Sequence, residues 1–270
     1  MTPFSLYGLT EYIRGLDKKI KIIVDLSDPF SLNGANNYAF VYNSSYIRRY
    51  ERNALKNVDD VVVLNPVIKE LYEKAFNISN VHVIEQGVKE ISPLVKTNDF
   101  LQKREVSLLY AGGLYKRFRE AFELYKAIDI LNANVSLDIY GNIDTSLLPE
   151  NNAKVLYHGQ VDHKELYQAY LDTDILVFID NNRGYQVPGK ILELIAMQKP
   201  VLFIYSNKNS PTLSYIKESE FVIKVGNSSN EIIEGIKRIQ NTDFSKLKAA
   251  ELSQYYWSSL ISKYNDIISG

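Results

Sequence analysis

Val106-Ser107-Leu108-Leu109-Tyr110-Ala111-Gly112-Gly113-Leu114-Tyr115-Lys116-Arg117 decides the fold. Its first six residues form a short apolar run of the kind a buried strand requires, and two glycines then let the backbone turn sharply or approach a ligand. Two cations follow within four residues. Similar runs recur downstream at Val135–Tyr140, Lys154–His158, Asp174–Ile179, Pro200–Ile204 and Phe221–Lys224. Between them, Arg119–Leu131, Lys164–Leu171, Pro188–Met197, Pro211–Lys217 and Asn230–Ile239 carry apolar residues three and four apart, the spacing of core-facing helices. That rhythm predicts βαβ units and a doubly wound α/β domain with a parallel sheet. Ligands of such sheets sit beyond the carboxyl ends of the strands, so the residues just after each run are the informative ones.

Upstream, Ile20–Leu26, Val58–Leu64 and Asn80–Ile84 read as three strands, with helices near Ser44–Lys56 and Val67–Phe76. This is half of a second Rossmann-like domain. The polar, Pro93-containing stretch Lys89–Glu105 reads as a linker. The expected organisation is a partial N-terminal domain over residues 1–92, a linker over 93–104, a complete domain over 105–245 and a helical segment over 246–270. The last segment carries Leu247, Ala250, Leu252, Tyr255, Tyr256, Leu260, Ile261 and Tyr264 around Trp257, and is expected to pack back toward the N-terminal part.

Composition narrows the function. With 31 Lys+Arg against 32 Asp+Glu, the chain lacks the basic field of a nucleic-acid binder. The absence of Cys removes thiol catalysis and thiolate metal sites, and His82, His158 and His163 lack metal-ligand spacing, so no metal is expected. No Gly-x-Ser-x-Gly elbow supports a hydrolase. No apolar stretch approaches the ~18 residues of a membrane span, and the N-terminus lacks an export signal, so the expected location is the cytoplasm. The segment from Tyr46 to Lys56 has a basic and an apolar face, which allows at most peripheral contact with the inner face of a membrane.

Two motifs carry chemistry. The first is Gly112-Gly113 with Lys116 and Arg117, a turn whose following helix N-terminus would offer N–H groups to an anion. It is not a dinucleotide fingerprint, because G-x-G-x-x-G is missing and the next strand ends in Tyr140-Gly141-Asn142 instead of an acid. The second is the run from Val187 to Val201. Pro188 suits a first helical position, Gly189 permits close approach, and Ile191, Leu194 and Ile195 form an apolar stripe. Lys190 and Glu193, three apart, share a face and can reach one ligand.

Together these residues resemble the GT-B fold glycosyltransferases that use nucleotide-sugar donors, specifically the large retaining group with paired Rossmann-like domains. The resemblance implies that Gly112, Gly113 and Lys116 or Arg117 open the donor site. It further implies that Gly141 and then Gly159 with Val161 border the nucleotide. Pro188, Gly189, Lys190 and Ile191 correspond to the family's Pro-x-Lys-x-x-Glu helix, with Glu193 where a carboxylate binds the ribose. By the same resemblance Lys116, Lys190 and Glu193 serve the reaction, and Tyr185 stands where the family often has a further glutamate near the donor sugar. Val24–Phe30 resembles a motif midway through the family's acceptor domain, and Glu85-Gln86-Gly87-Val88 resembles its end. The first strands of that domain then have no counterpart here, which raises self-association or a partner chain completing it.

The implied function is transfer of a sugar from a nucleoside diphosphate sugar to an unidentified acceptor in surface polysaccharide assembly. No cofactor or metal is implied. The departing diphosphate would help take the acceptor proton at an interdomain cleft. The alternative is a non-catalytic or partner-dependent nucleotide-sugar binding subunit, or a fragment of a transferase. A nucleotide-sugar epimerase shares the architecture but would need an acid and base pair around the sugar.

Overall fold

The computed structural model describes residues 7–32, 44–88, 105–131, 135–150, 152–216, 220–247 and 252–270. The linker expected over 93–104 lies outside them, as does Ala250. In chain order, the first elements are α1 (Tyr7–Leu16), β1 (Ile23–Leu26), α2 (Ser44–Leu55), β2 (Asp60–Val63), α3 (Pro66–Phe76) and β3 (Val81–Val83). There follow β4 (Val106–Ala111), α4 (Phe122–Leu131), β5 (Val135–Tyr140), β6 (Val155–Gly159), α5 (His163–Asp172) and β7 (Ile175–Ile179). The remainder is α6 (Lys190–Ala196), β8 (Val201–Tyr205), α7 (Pro211–Tyr215), β9 (Val222–Gly226), α8 (Ser229–Gln240) and α9 (Trp257–Ser269). Among the described residues no helix is long and apolar enough to cross a membrane.

The chain divides into two compact units, one of Met1–Lys89, Gly184–Gly189 and Leu252–Gly270, the other of Glu90–Arg183 and Lys190–Glu251. In the first, β1, β2 and β3 form a parallel sheet in that order. β2 reads Asp60-Val61-Val62-Val63 because both of its faces are covered. Val61 and Val63 join Leu26, Ile68 and Tyr72 on one side, while Val62 meets Ile84 and Leu260 of α9 on the other. α3 starts where Asn65 accepts a hydrogen bond from the Ile68 N–H at 2.9 Å and Pro66 needs no partner for its nitrogen. The segment Tyr7–Leu16 was not expected to be helical. Leu9, Tyr12, Ile13 and Leu16 recur at helical spacing there, but Leu9, Tyr12 and Leu16 face outward while Tyr7 and Thr10 are buried.

The core of this unit also holds a carboxylate. Glu51, fully buried, accepts from the Tyr7 hydroxyl at 3.1 Å, the Tyr72 hydroxyl at 2.7 Å and the Ser31 N–H at 3.0 Å. Tyr72 in turn accepts from the Phe30 N–H at 3.2 Å. One side chain therefore ties α1, α3 and the loop after β1 to α2. Burial and the neighbouring Glu51 charge push the pKa of both tyrosines far above the ordinary phenol value, so both remain donors.

In the second unit six parallel strands run in the order β6-β5-β4-β7-β8-β9, the doubly wound pattern in which chain direction reverses between β4 and β7. β4 and β7 are buried along nearly their whole length, as strands covered on both faces must be. Asp162 caps α5 and Ser228 caps α8. Lys199 donates to the Tyr170 carbonyl at 2.9 Å and the Leu171 carbonyl at 2.7 Å, closing the last turn of α5. Two local expectations are corrected. Residues after Gly112-Gly113 do not enter a helix at once: Tyr115 and Arg119 bridge in a tight hairpin, and α4 begins at Phe122. α6 begins at Lys190, so Pro188 is not its first residue.

The three glycines that end β4, β5 and β6 are joined by backbone. The Gly112 N–H donates to the Tyr140 carbonyl at 2.9 Å, and the Gly141 N–H to the Gly159 carbonyl at 2.8 Å. Gly141 has φ 136° and lies so near the next turn that a Cβ would fall 2.3 Å from the Gly112 carbonyl oxygen. Gly159, at φ 73°, has no atom within 4 Å of a Cβ position.

Replacing Gly141 by Ala forces two backbone turns apart, and should cost about 2 kcal/mol or more in urea unfolding, whereas Gly159→Ala should cost only ~1 kcal/mol. Glu51→Ala strands three buried donors and is expected to lose about 3 kcal/mol or more in the same measurement.

Candidate active site

Beyond the carboxyl ends of β4, β5 and β6 lies a cavity of about 250 Å³. Ala111, Gly112 and Gly113 form one wall, Tyr140, Gly141 and Asn142 the next, and Gln160 and Val161 the third. Leu166 of α5 and Lys190 of α6 complete it. The wall chemistry follows from the strand ends. Glycines keep side chains out and leave peptide groups at the surface, Asn142 and Gln160 add amide donors and acceptors, and Tyr140 adds an aromatic edge. Tyr140 is held from behind by His158, stacked at 4.5 Å between centroids and 10° between planes, and His158 pairs with Asp138 at 2.6 Å. The Tyr157 hydroxyl donates to the Gly141 carbonyl at 2.9 Å.

Lys190 is the cavity's cation. Its ammonium lies 5.9 Å from the centroid of the Tyr170 ring. Burial holds its pKa below the usual lysine value; Glu193 opposes this by favouring the charged form, and Arg119 adds to it. Arg119 stands behind the first wall, donating to the Gly113 carbonyl at 3.5 Å and to Asn181. Its Nε is buried without a partner, as is the Tyr170 hydroxyl. Tyr110 also donates to Gly113, at 2.9 Å, and burial raises its pKa although Arg119 pulls the other way. Below them Asp180 is buried and accepts from Ser210 and, at 2.9 Å, from Thr212, with its pKa raised by burial. One cation and glycine-edged backbone thus line the cavity, with the Arg119 guanidinium behind its first wall, an arrangement suited to an anion.

Of the residues singled out from sequence, Gly112, Gly113, Gly141, Val161 and Lys190 line the cavity, and Gly159 holds Gly141 in place. Glu193 is exposed one turn along α6 from Lys190, and Ile191 is wholly in the core. Lys116 and Arg117 are exposed at the tip of the hairpin, where Arg117 takes φ 62°. Neither lines the cavity. Tyr185, Pro188 and Gly189 group with the first unit, where Asn65 donates to the Tyr185 carbonyl at 3.1 Å and a Cβ on Gly189 would fall 2.3 Å from Gln86. Sequence reasoning passed over Arg119, counting it as the start of a helix. The hairpin that turns it inward depends on pairing with Tyr115 and on Asn182, which donates to the Arg117 carbonyl at 2.8 Å from 65 residues away. Among the described residues, no group of three or more His, Asp or Glu could hold a metal ion.

Comparison with known proteins places this geometry. A family model described as group 1 glycosyl transferases matches residues 105–242. No curated protein matches the chain. Among solved structures, TarM resembles it with a TM-score of 0.72 at 14% identity over 98% of this chain and 53% of its own. HepE of Anabaena, crystallised with UDP and glucose, gives 0.70 at 12% identity over 98% of this chain and 76% of its own. WaaG, a glycosyltransferase of lipopolysaccharide biosynthesis, gives 0.62 at 13% over 98% and 82%. The chain thus spans about half the length of TarM. At such identities the likeness is one of fold, a GT-B fold, and the family match rests on more than half of the 270 residues. On that match, the chain belongs to the group 1 glycosyl transferases.

Proposed function

We propose that this chain binds a nucleoside diphosphate sugar in the cavity at the ends of β4, β5 and β6 and transfers the sugar to an acceptor in surface polysaccharide assembly. The observation that carries the proposal is Lys190 beside the glycine-edged backbone in that cavity, with Arg119 behind its Gly112-Gly113 wall. A diphosphate supplies an acceptor for the Lys190 ammonium, and HepE, a fold neighbour, was crystallised with UDP. As the glycosyl bond to the diphosphate breaks, negative charge grows on the leaving oxygen. Fixed cations and N–H groups aimed there stabilise it without reorganising, an effect worth ~3 kcal/mol per donor, or about a hundredfold in rate. The departing diphosphate takes the acceptor proton. Glu193, one turn from Lys190, orients the ribose, and Lys116 and Arg117 act from the rim as attracting charges. No divalent ion is needed, since the neutralising charge comes from the protein.

The second reading, a binding subunit that needs another chain for catalysis, is favoured by Tyr185 at the position where the family resemblance implies an acidic side chain. Donor turnover separates the two. Binding with neither transfer nor hydrolysis of the sugar by the chain alone selects the subunit.

In a thermal-shift panel of UDP, GDP, dTDP, CDP and ADP, one diphosphate should raise Tm, because a ligand that binds only the folded chain stabilises it. Lys190→Ala and Arg119→Ala should each weaken that nucleotide about tenfold or more by calorimetry, Lys116→Ala much less, and EDTA should change nothing. Equal loss in all three would move the diphosphate to the hairpin tip. Glu193→Ala should also weaken binding, and unchanged affinity rejects its role with the ribose. With the Lys190 pKa lowered, affinity should fall on the alkaline side earlier than for an ordinary lysine, and Lys190→Arg should move that fall to higher pH.

A further inference from the structure

The cavity has two chemically different sides. The sheet order β6-β5-β4-β7 places the glycine turn of β4, and the passage from β7 to Lys190, on one side of β5 and the turn of β6 on the other. The first side offers a cation and bare peptide groups. The second offers the Tyr140 ring, the Asn142 and Gln160 amides, Val161 and Leu166. A nucleotide whose diphosphate rests at Lys190 therefore presents its nucleoside to the β5–β6 side, where amides can read a base edge and a ring can pack on a base face. No further strand supports Tyr140 from that direction, because β6 is the edge of the sheet, with Leu156 51% and Tyr157 39% exposed.

A break in the strand register supplies what holds it. Ile139 pairs with Tyr157 and Tyr140 with Gly159, which leaves His158 as an extra residue on β6, a β-bulge. Asp138 and Tyr140, two apart on β5, share one face of the sheet, and the His158 ring meets both of them. Its Nε2 lies 2.6 Å from the Asp138 carboxylate, and its plane stacks on the Tyr140 ring, 4.5 Å between centroids and 10° from parallel. The His158 and Asp138 side chains are 35% and 28% exposed, where such a contact adds little to stability. What the pair fixes is the direction of one ring at the cavity wall, and bulges beside binding sites re-aim side chains in this way. We propose that His158, held by Asp138, is a positioning residue that keeps the Tyr140 ring in place as the wall against which the planar base of the donor nucleotide packs. This inference rests on the donor reading above and adds to it the residues that place the base.

Calorimetry on the full chain with UDP, GDP, dTDP, CDP and ADP in turn, and with inorganic pyrophosphate, tests this. For the nucleotide that binds, Tyr140→Ala should weaken affinity about tenfold. His158→Ala, which leaves the ring unheld, should weaken it about fivefold. His158→Phe keeps a ring on Tyr140 and should bring affinity back to within about twofold of wild type, whereas His158→Leu, which fills the space without a ring, should not. Asp138→Ala should cost about threefold in the wild-type chain and nothing when combined with His158→Phe, since its effect passes through the imidazole. Pyrophosphate has no base, and its affinity should be the same for all these variants. Wild-type affinity in His158→Ala, equal loss in His158→Ala and His158→Phe, or a loss for pyrophosphate matching that for the nucleotide overturns the inference and leaves the donor reading standing. Binding of none of the five nucleotides by the wild-type chain overturns both.

Discussion

The cavity depends on one backbone arrangement, the row of glycines at the ends of β4, β5 and β6. Gly112 and Gly141 carry the hydrogen bonds that run from strand to strand past the end of the regular ladder, and the Gly141 backbone lies against the Gly112 carbonyl with no room for a side chain. A side chain there would separate the turns and fill the space between them. With none present, peptide groups form the floor and the walls come from residues one step later in each turn: Gly113, Asn142, Gln160 and Val161. The sheet order places these turns side by side, because the chain winds outward from β4 in both directions.

Charge is then distributed around this floor by long-range contacts. Lys190 is presented by α6 at its first residue, and its partial burial makes the charged form costly. Arg119 stands behind the Gly113 turn, held from a hairpin stabilised by Asn182. Lys116 and Arg117, which adjoin the glycines in sequence, occupy the tip of that hairpin and point to solvent. Sequence adjacency to a glycine turn was therefore a poor guide to which cation lies beside it.

In the N-terminal unit the corresponding organising group is Glu51, which joins three other segments through side-chain and backbone donors. A carboxylate among valines and tyrosines is tolerable only because its acceptor capacity is met on both oxygens. In sequence it reads as one more charge on a basic helix, since its partners lie 20, 21 and 44 residues away. α1 owes its place to the same group, through the Tyr7 hydroxyl.

The alternation of short apolar runs with helical patterns determined by itself that this is a parallel α/β chain, because strand and helix periods are local properties of side-chain spacing. Val106–Ala111 and Val135–Tyr140 are legible to the residue for that reason. Gly112, Gly113, Gly141 and Lys190 could also be read as site residues, since each directly follows a strand or opens a helix near the strand ends. Other features were settled only by the tertiary structure: the inward turn of Arg119, the outward placement of Lys116 and Arg117, the start of α6 at Lys190, and the grouping of Tyr185 to Gly189 with the other unit. Each depends on a partner many residues distant, such as Asn182, Asn65 or Gln86, and contacts of that range leave no period in the sequence.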